Sequence, residues 1–265
     1  LGEGRIRSLD DHASEYIPAL KGTLYGGTSL RLLLQMSSGV AFDEKDPTRP
    51  PNPDTQRLWA GQFSPGANPV AVLADCTRRA AAPGTRFKYS SGDNETAGIV
   101  LRRATGRSLS DYLSEKIWQP IGAEADATWA ADTSGQEYPF YGFNAVLRDY
   151  ARLGRLLAHD GSWNGRQLIP RPFLVEATTI RPADKHLWPG AASPYYGYGY
   201  QTWIFPGDRR MFVLRGAYSQ YVFVDPLSKL VLVQAAVHSE GPDSENGNSE
   251  SMALWLGIVR QLGGG

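Results

Sequence analysis

Cys76 is the only cysteine among 265 residues, which excludes an intramolecular disulfide and a thiolate metal cluster. Cysteine usage therefore leaves the compartment open. Net charge is missing too: 27 Lys plus Arg balance 27 Asp plus Glu, so phosphate neutralisation does not drive this chain onto nucleic acid. No apolar run reaches the roughly 18 residues that a membrane span needs. The histidines, His12, His159, His186 and His238, are scattered without ligand spacing, and no HExxH occurs. Neither a metal nor a cofactor is expected. A P-loop and a GxGxxG are absent, and no serine sits in a GxSxG elbow, which counts against an α/β-hydrolase. The chain opens without Met and without a signal-peptide pattern.

What is present is enough apolar residue for a substantial core, 42% of the chain. The opening, Leu1-Gly2-Glu3-Gly4-Arg5-Ile6, reads as the end of a helix running into a turn. Helices are predicted over Thr28–Met36, Pro69–Arg79, Asn94–Thr105 (stopped by Gly106), Leu109–Trp118 (begun by Ser108), Ala145–Ala158 and Pro170–Ala177. Charge and proline in 43–57 predict a surface loop, and 122–143 reads as irregular. The texture then changes. Tyr195–Phe205 is rich in Tyr, Gly and Trp, while Met211–Leu214, Tyr221–Val224 and Lys229–Val237 are β-branched and aromatic runs between turn residues. Three to four antiparallel strands are expected there. A polar loop over 239–249 and a closing helix over Met252–Leu262 complete an α+β pattern.

Three segments carry chemistry. Pro83-Gly84-Thr85-Arg86-Phe87-Lys88-Tyr89-Ser90-Ser91-Gly92 sets Tyr89 and Ser91 in a polar turn before a helix. Leu33-Leu34-Gln35-Met36-Ser37-Ser38-Gly39 precedes it, and Leu214 through Asp225-Pro226 follows as a strand with Gly216 and a Val-Asp-Pro end. Taken in this order they resemble the serine β-lactamase-related hydrolases of the class C and penicillin-binding type. The 6-aminohexanoate-dimer hydrolase and esterase branch is the most similar. The resemblance covers nearly the whole chain.

That resemblance implies a β-lactamase/transpeptidase-like α+β fold, an antiparallel sheet flanked by helices plus a helical subdomain. It implies one domain over 1–265, with the helical part near 28–180 and the sheet part near 195–262. It also implies a Ser-x-x-Lys nucleophile helix, in which one helical turn brings the ammonium to the hydroxyl. No serine here has Lys three residues on. Thr85-Arg86-Phe87-Lys88 has the spacing but lies inside the tyrosine motif. In the family that helix comes just before a turn like the one that opens this chain. The expectation is therefore an N-terminally truncated, inactive fragment of a serine hydrolase that cleaves an amide or ester through an acyl-enzyme. Roughly a hundred residues would be missing, and its own N-terminal segment becomes a candidate partner. The alternative is a non-catalytic pseudoenzyme or ligand-binding domain. The partner otherwise expected is a small-molecule amide or ester, with no nucleic acid and no membrane span. Bacterial cytoplasm and periplasm are both compatible.

By the same resemblance Tyr89 transfers protons, which needs a nearby cation because a free phenol titrates near 10. Ser91 hydrogen-bonds the lysine or a substrate amide, or serves as a helix N-cap; the two readings stay open together. A backbone N–H at Gly216 and Ala217 joins an oxyanion hole, and a strand bulge at Gly216 is compatible with that. Leu214 replaces the family's usual Lys or His, with Arg215 beside it, which weakens the case for recognising a β-lactam carboxylate. Asn144 either lines the pocket or caps the helix that follows. Tyr195, Tyr196, Tyr198, Tyr200 and Trp203 form an aromatic wall or ordinary packing. Cys76 is read as buried on an apolar helix face.

Overall fold

A computed structural model describes residues 1–44, 54–60, 64–66, 68–236 and 245–263. The chain divides into two compact units. The first comprises Leu1–Glu115, Thr128–Asn144 and Asp184–Leu187. It holds α1 (Leu30–Leu34), α2 (Asp54–Trp59), α3 (Pro69–Ala74), α4 (Ser91–Thr105) and α5 (Leu109–Leu113), with β1 (Thr128–Trp129) paired antiparallel to β2 (Phe143–Asn144). Local hydroxyls begin three of these helices. Ser29 accepts from Leu32 N–H, Ser90 from Asp93 N–H and Ser108 from Asp111 N–H, which satisfies donors that a helix start leaves over. Gly106, at φ 69°, ends α4 as expected.

The helix α4 lies at the centre, with α1, α2, α3 and α5 all packed on it. Its buried face is mostly polar and small: Ser91, Gly92, Asp93, Glu95, Thr96 and Gly98, with Ile99 and Val100. Such a face allows close approach, and it forces its carboxylates to find partners inside the protein.

Several predicted boundaries move. The helix predicted over Thr28–Met36 is α1, Leu30–Leu34, capped by Ser29, and Met36 at φ 53° has already left it. Within 43–57 the loop expectation fails from Asp54 onward, where α2 forms; residues 45–53 lie outside the described residues. The helix α3 stops at Ala74, because Arg79 turns to pair with Val40. Three residues are gained at the start of α4, and α5 passes into a π-turn over Ser114–Trp118. The irregular stretch 122–143 contains β1 and the first residue of β2.

The second unit comprises Lys116–Ala127, Ala145–Ala183 and Trp188–Gly265. It contains α6 (Leu147–Ala158), a small hairpin of β3 (Ser162–Trp163) and β4 (Arg166–Gln167), and α7 (Arg171–Ala177). A five-stranded sheet follows: β5 (Gly197–Tyr198), β6 (Trp203–Ile204), β7 (Phe212–Gly216), β8 (Gln220–Asp225) and β9 (Leu230–Gln234). The closing helix α8 spans Glu245–Leu262. All neighbouring strands pair antiparallel in sequence order. One more strand is present than the most that the sequence reading expected, because the aromatic stretch folds into two short ones.

Strand residues alternate between two covered faces. Phe212, Val222, Val224, Val231 and Val233 join Leu157 and Leu174 of α6 and α7. Val213, Tyr221, Phe223, Leu230 and Leu232 join Trp255 and Val259 of α8, with the Phe223 and Trp255 rings stacked 5.6 Å apart. Coverage of both faces explains why these strands read as continuous apolar runs. The expected polar loop over 239–249 is corrected at its end: α8 begins at Glu245, and residues 239–244 lie outside the described residues.

Candidate active site

In the first unit, the segments around Ser37 and Tyr89 are stitched together by backbone. Lys88 N–H donates to Met36 O at 2.9 Å, and Gly84 N–H donates to Ser37 O at 2.9 Å. Arg79 Nη1 donates to Ser38 O at 2.6 Å. Gly39, at φ 73°, lies against the carbonyl of Ala81, where a side chain would collide. Two motifs more than forty residues apart therefore form one rigid loop pair.

Tyr89 leads directly into α4. It is 42% exposed, whereas Ser90 is 2% and Ser91 5% exposed. The N-cap of α4 is Ser90, which corrects the capping role considered for Ser91. Ser91 is the first helical residue, and its N–H and hydroxyl both donate to the Glu44 carboxylate. The hydroxyl of Thr85 donates to Ala82 O, and the Lys88 ammonium donates to Phe42 O. The Thr-x-x-Lys spacing thus does not couple those two side chains.

Behind this turn sits Asp93, fully buried. Its carboxylate accepts from the Ser38 hydroxyl at 2.7 Å and from Ser38 N–H at 3.2 Å. Burial pushes it up to about 7, against the pull of those hydrogen bonds. The Tyr25 phenol, 3.4 Å from Ser90 Oγ, is also fully buried and is held well above its usual range, first by burial and then by the Asp93 charge. A second set surrounds Ser37, buried except for the half-buried His186: the Ser37 hydroxyl donates to Gln35 O and lies 3.1 Å from His186 Nε2, while Gln35 Nε2 donates to Asp184 at 2.9 Å. Sequence reading missed Glu44, Asp93, Asp184 and His186. Of these only Asp93 had a local signal, the Ser-x-x-Asp spacing from Ser90.

Asn144 does not cap the following helix. It is exposed in β2, paired with Thr128, and its Nδ2 donates to Gly142 O; Val146 occupies the N-cap of α6. The structure brings Tyr89 and Ser91 together at the head of α4 and puts Asn144 on a separate hairpin.

Gly216 and Ala217 belong to the second unit. Gly216 ends β7 in regular register with Gln220, so no bulge forms there. Ala217 lies off the strand, in a turn continued by Tyr218 at φ 61° and Ser219 at φ 67°. The guanidinium of Arg215 lies 5.2 Å from the Tyr196 ring and 5.0 Å from that of Trp203. Tyr196, Tyr198 and Tyr200 are buried, and Tyr196 and Tyr198 meet Trp203 edge to face. These aromatics pack the interior of their unit. Cys76 is buried just past α3, and burial raises its thiol to about 12.

Comparison with known proteins agrees with the family resemblance. The 6-aminohexanoate-dimer hydrolase of Paenarthrobacter ureafaciens is 25% identical over 266 residues, covering 99% of this chain and 67% of that protein. A solved structure described as a "putative 6-aminohexanoate-dimer hydrolase" from Bacillus anthracis superposes with a TM-score of 0.83 at 28% identity, covering 98% of this chain and 68% of that one. A D-stereospecific amidohydrolase from Streptomyces shares the fold, with a TM-score of 0.64 at 21% identity over 94% of this chain and 79% of that one. The β-lactamase/transpeptidase-like fold that the three motifs implied is the fold observed. The profile of the family described as Beta-lactamase runs from residue 2 to residue 254, through both units, and on that match the chain belongs to the beta-lactamase family.

Proposed function

We propose that this chain works in a serine hydrolase that cleaves an amide or an ester through an acyl-enzyme. In that chemistry a serine oxygen bonds to the substrate carbonyl carbon while its proton passes to a base. The amine or alcohol leaves with a proton, and water then cleaves the acyl ester and restores the serine. Tyr89 is the proposed proton-transfer group, with Ser91 beside it at the head of α4. Gly216 and Ala217 are proposed to offer a backbone N–H to the developing oxyanion, and Asn144 to line the substrate side. The observation that carries this reading is the exposure pattern: Tyr89 is presented to solvent while Ser90 and Ser91, next to it, are buried. A turn made only for packing gains nothing by holding a phenol outward between two anchored segments.

No serine among the 265 residues is followed three positions on by lysine. The reading therefore assigns the acylated serine to polypeptide outside them. Fluorophosphonate labelling with intact-mass detection tests this. The complete gene product should take up one probe and hydrolyse a short-chain p-nitrophenyl ester; the 265-residue chain alone should take up neither fluorophosphonate nor penicillin. Stoichiometric labelling of a serine within the 265 residues would overturn the assignment of the nucleophile. A complete gene product that neither labels nor turns over esters and amides would overturn the hydrolase reading.

A further inference from the structure

The start of α4 reads as a capping box, Ser90-Ser91-Gly92-Asp93. In a full box the third helical residue turns its side chain back to the N–H of the cap. Here only half of the box is made. Ser90 Oγ accepts from Asp93 N–H at 3.2 Å, but the Asp93 carboxylate is spent on Ser38, 55 residues away in sequence, through both the hydroxyl and the N–H of that residue. The Ser90 and Tyr25 hydroxyls complete its surroundings. Among the described residues no guanidinium or ammonium pairs with it. A buried carboxylate without a counter-cation is costly, and a cap alone needs no such bond.

Its position explains the cost. Tyr89 lies between two ties to the same 36–38 segment: Lys88 N–H to Met36 O on one side, and Asp93 to Ser38 on the other. We infer that Asp93 is a positioning residue, which fixes the direction of the Tyr89 phenol by clamping the head of α4 to Ser38. This rests on the reading of Tyr89 as the proton-transfer group. Asp93 does not itself touch the reacting atoms. Its carboxylate matters as a double acceptor: asparagine offers one acceptor oxygen, so with that oxygen on Ser38 N–H its amide N–H would have to donate to the Ser38 hydroxyl, reversing that bond at an oxygen that already accepts from Val40 N–H.

The test uses Asp93→Asn, Ser38→Ala and Tyr89→Phe in the complete gene product, with two readouts. Ring-carbon NMR of 13C-labelled tyrosine, in which the Tyr89 signal is identified by its loss in Tyr89→Phe, reports position without reference to catalysis. Ester hydrolysis reports kcat and KM separately. The expected result is a shifted or broadened Tyr89 signal in Asp93→Asn, and a kcat lower by about 10-fold to 10²-fold with KM changed less than about twofold. Ser38→Ala should move both in the same direction by less, since the backbone donor remains; it carries the test alone if Asp93→Asn does not fold. An unchanged Tyr89 signal in the folded variants overturns the inference. So does an unchanged kcat in those variants, when Tyr89→Phe has lost activity. Should Tyr89→Phe keep full activity, the proton-transfer reading fails, and the NMR signal still decides whether Asp93 places Tyr89.

Discussion

A Cβ on Gly92 would stand 2.5 Å from Cδ2 of Phe42 and closer still to the Tyr25 hydroxyl oxygen. Gly92 has ordinary helical geometry, so replacing it with alanine would by propensity alone favour α4 by about 1 kcal/mol. Contact decides the opposite sign, because both neighbours are buried and cannot retreat. Gly92→Ala should destabilise the protein by about 1–3 kcal/mol. Urea unfolding should show a lower midpoint with an unchanged slope. Equal or greater stability would mean that Tyr25 and Phe42 are freer to move than their packing indicates.

Removing one hydroxyl from Tyr89 should leave this packing alone, since Tyr89 is exposed whereas Tyr25 and Phe42 are fully buried. Tyr89→Phe in the complete gene product is therefore expected to cut ester turnover by about 10²-fold or more, the scale of a lost acid–base group. Circular dichroism and the unfolding midpoint should stay the same. Retention of more than about half the activity, against that scale, would make Tyr89 structural.

Burial raises Asp93 and Glu95 to about 7 each. For Glu95 this happens although Arg102, at 3.2 Å, pulls the other way. Tyr25 and Cys76 are the titratable groups facing Asp93, and Arg102, Asp132 and Tyr138 those facing Glu95. Between the unfolded carboxylate range near 4 and the folded value near 7, the native state holds more protons than the unfolded one. Stability should thus fall as pH rises through that window. Below it, carboxyls such as Asp149, which burial pushes up but hydrogen bonds from Glu124 N–H, Ala125 N–H and Arg152 together hold low, reverse the slope. Urea unfolding from pH 4 to pH 8 should show the decline, and Glu95→Gln should flatten it. A curve that rises steadily to pH 8 would refute the assignment.

The parts of the fold that could be read from sequence are those whose causes are local. The stop at Gly106, the cap at Ser108 and the alternation of β7 to β9 each lie within a few residues. The misplacements have identifiable reasons. Proline and charge in 43–57 concealed α2, since the turn residues outweighed the short run Asp54–Trp59. Tertiary pairing of β2 took Asn144 away from the helix it was read to cap. Tyr89 and Ser91 were visible because a motif frames them. Their partners were not: Glu44 reaches Ser91 across 47 residues, and Ser38 reaches Asp93 across 55. Nothing in the local pattern around Glu44 distinguishes it from the other charges of its loop.

The Val-Asp-Pro end of β8 supplied part of the family resemblance, and the structure gives its aspartate an architectural task. Asp225 is fully buried. It accepts from Arg209, from the Ser228 hydroxyl and from Leu227 N–H, so it closes the turn into β9, while Arg209 also donates to Gly263 O beyond the end of α8. Although burial opposes it, the sum of these bonds holds the Asp225 carboxyl below its usual value. Its linkage is thus opposite in sign to that of Asp93: the stabilisation is present above the unfolded carboxylate range near 4 and is lost as pH falls through the lower folded value. Asp225→Ala strands a partly buried guanidinium and opens the turn, and should cost about 3 kcal/mol or more. Asp225→Asn keeps the shape and loses the charge, so it should cost less at neutral pH and remove this residue's share of the acid sensitivity. Urea titrations of both variants at pH 7 and pH 4 would show it. Were Asp225→Ala as stable as the parent chain at pH 7, the Arg209–Asp225 pair would carry no weight in joining the sheet to α8.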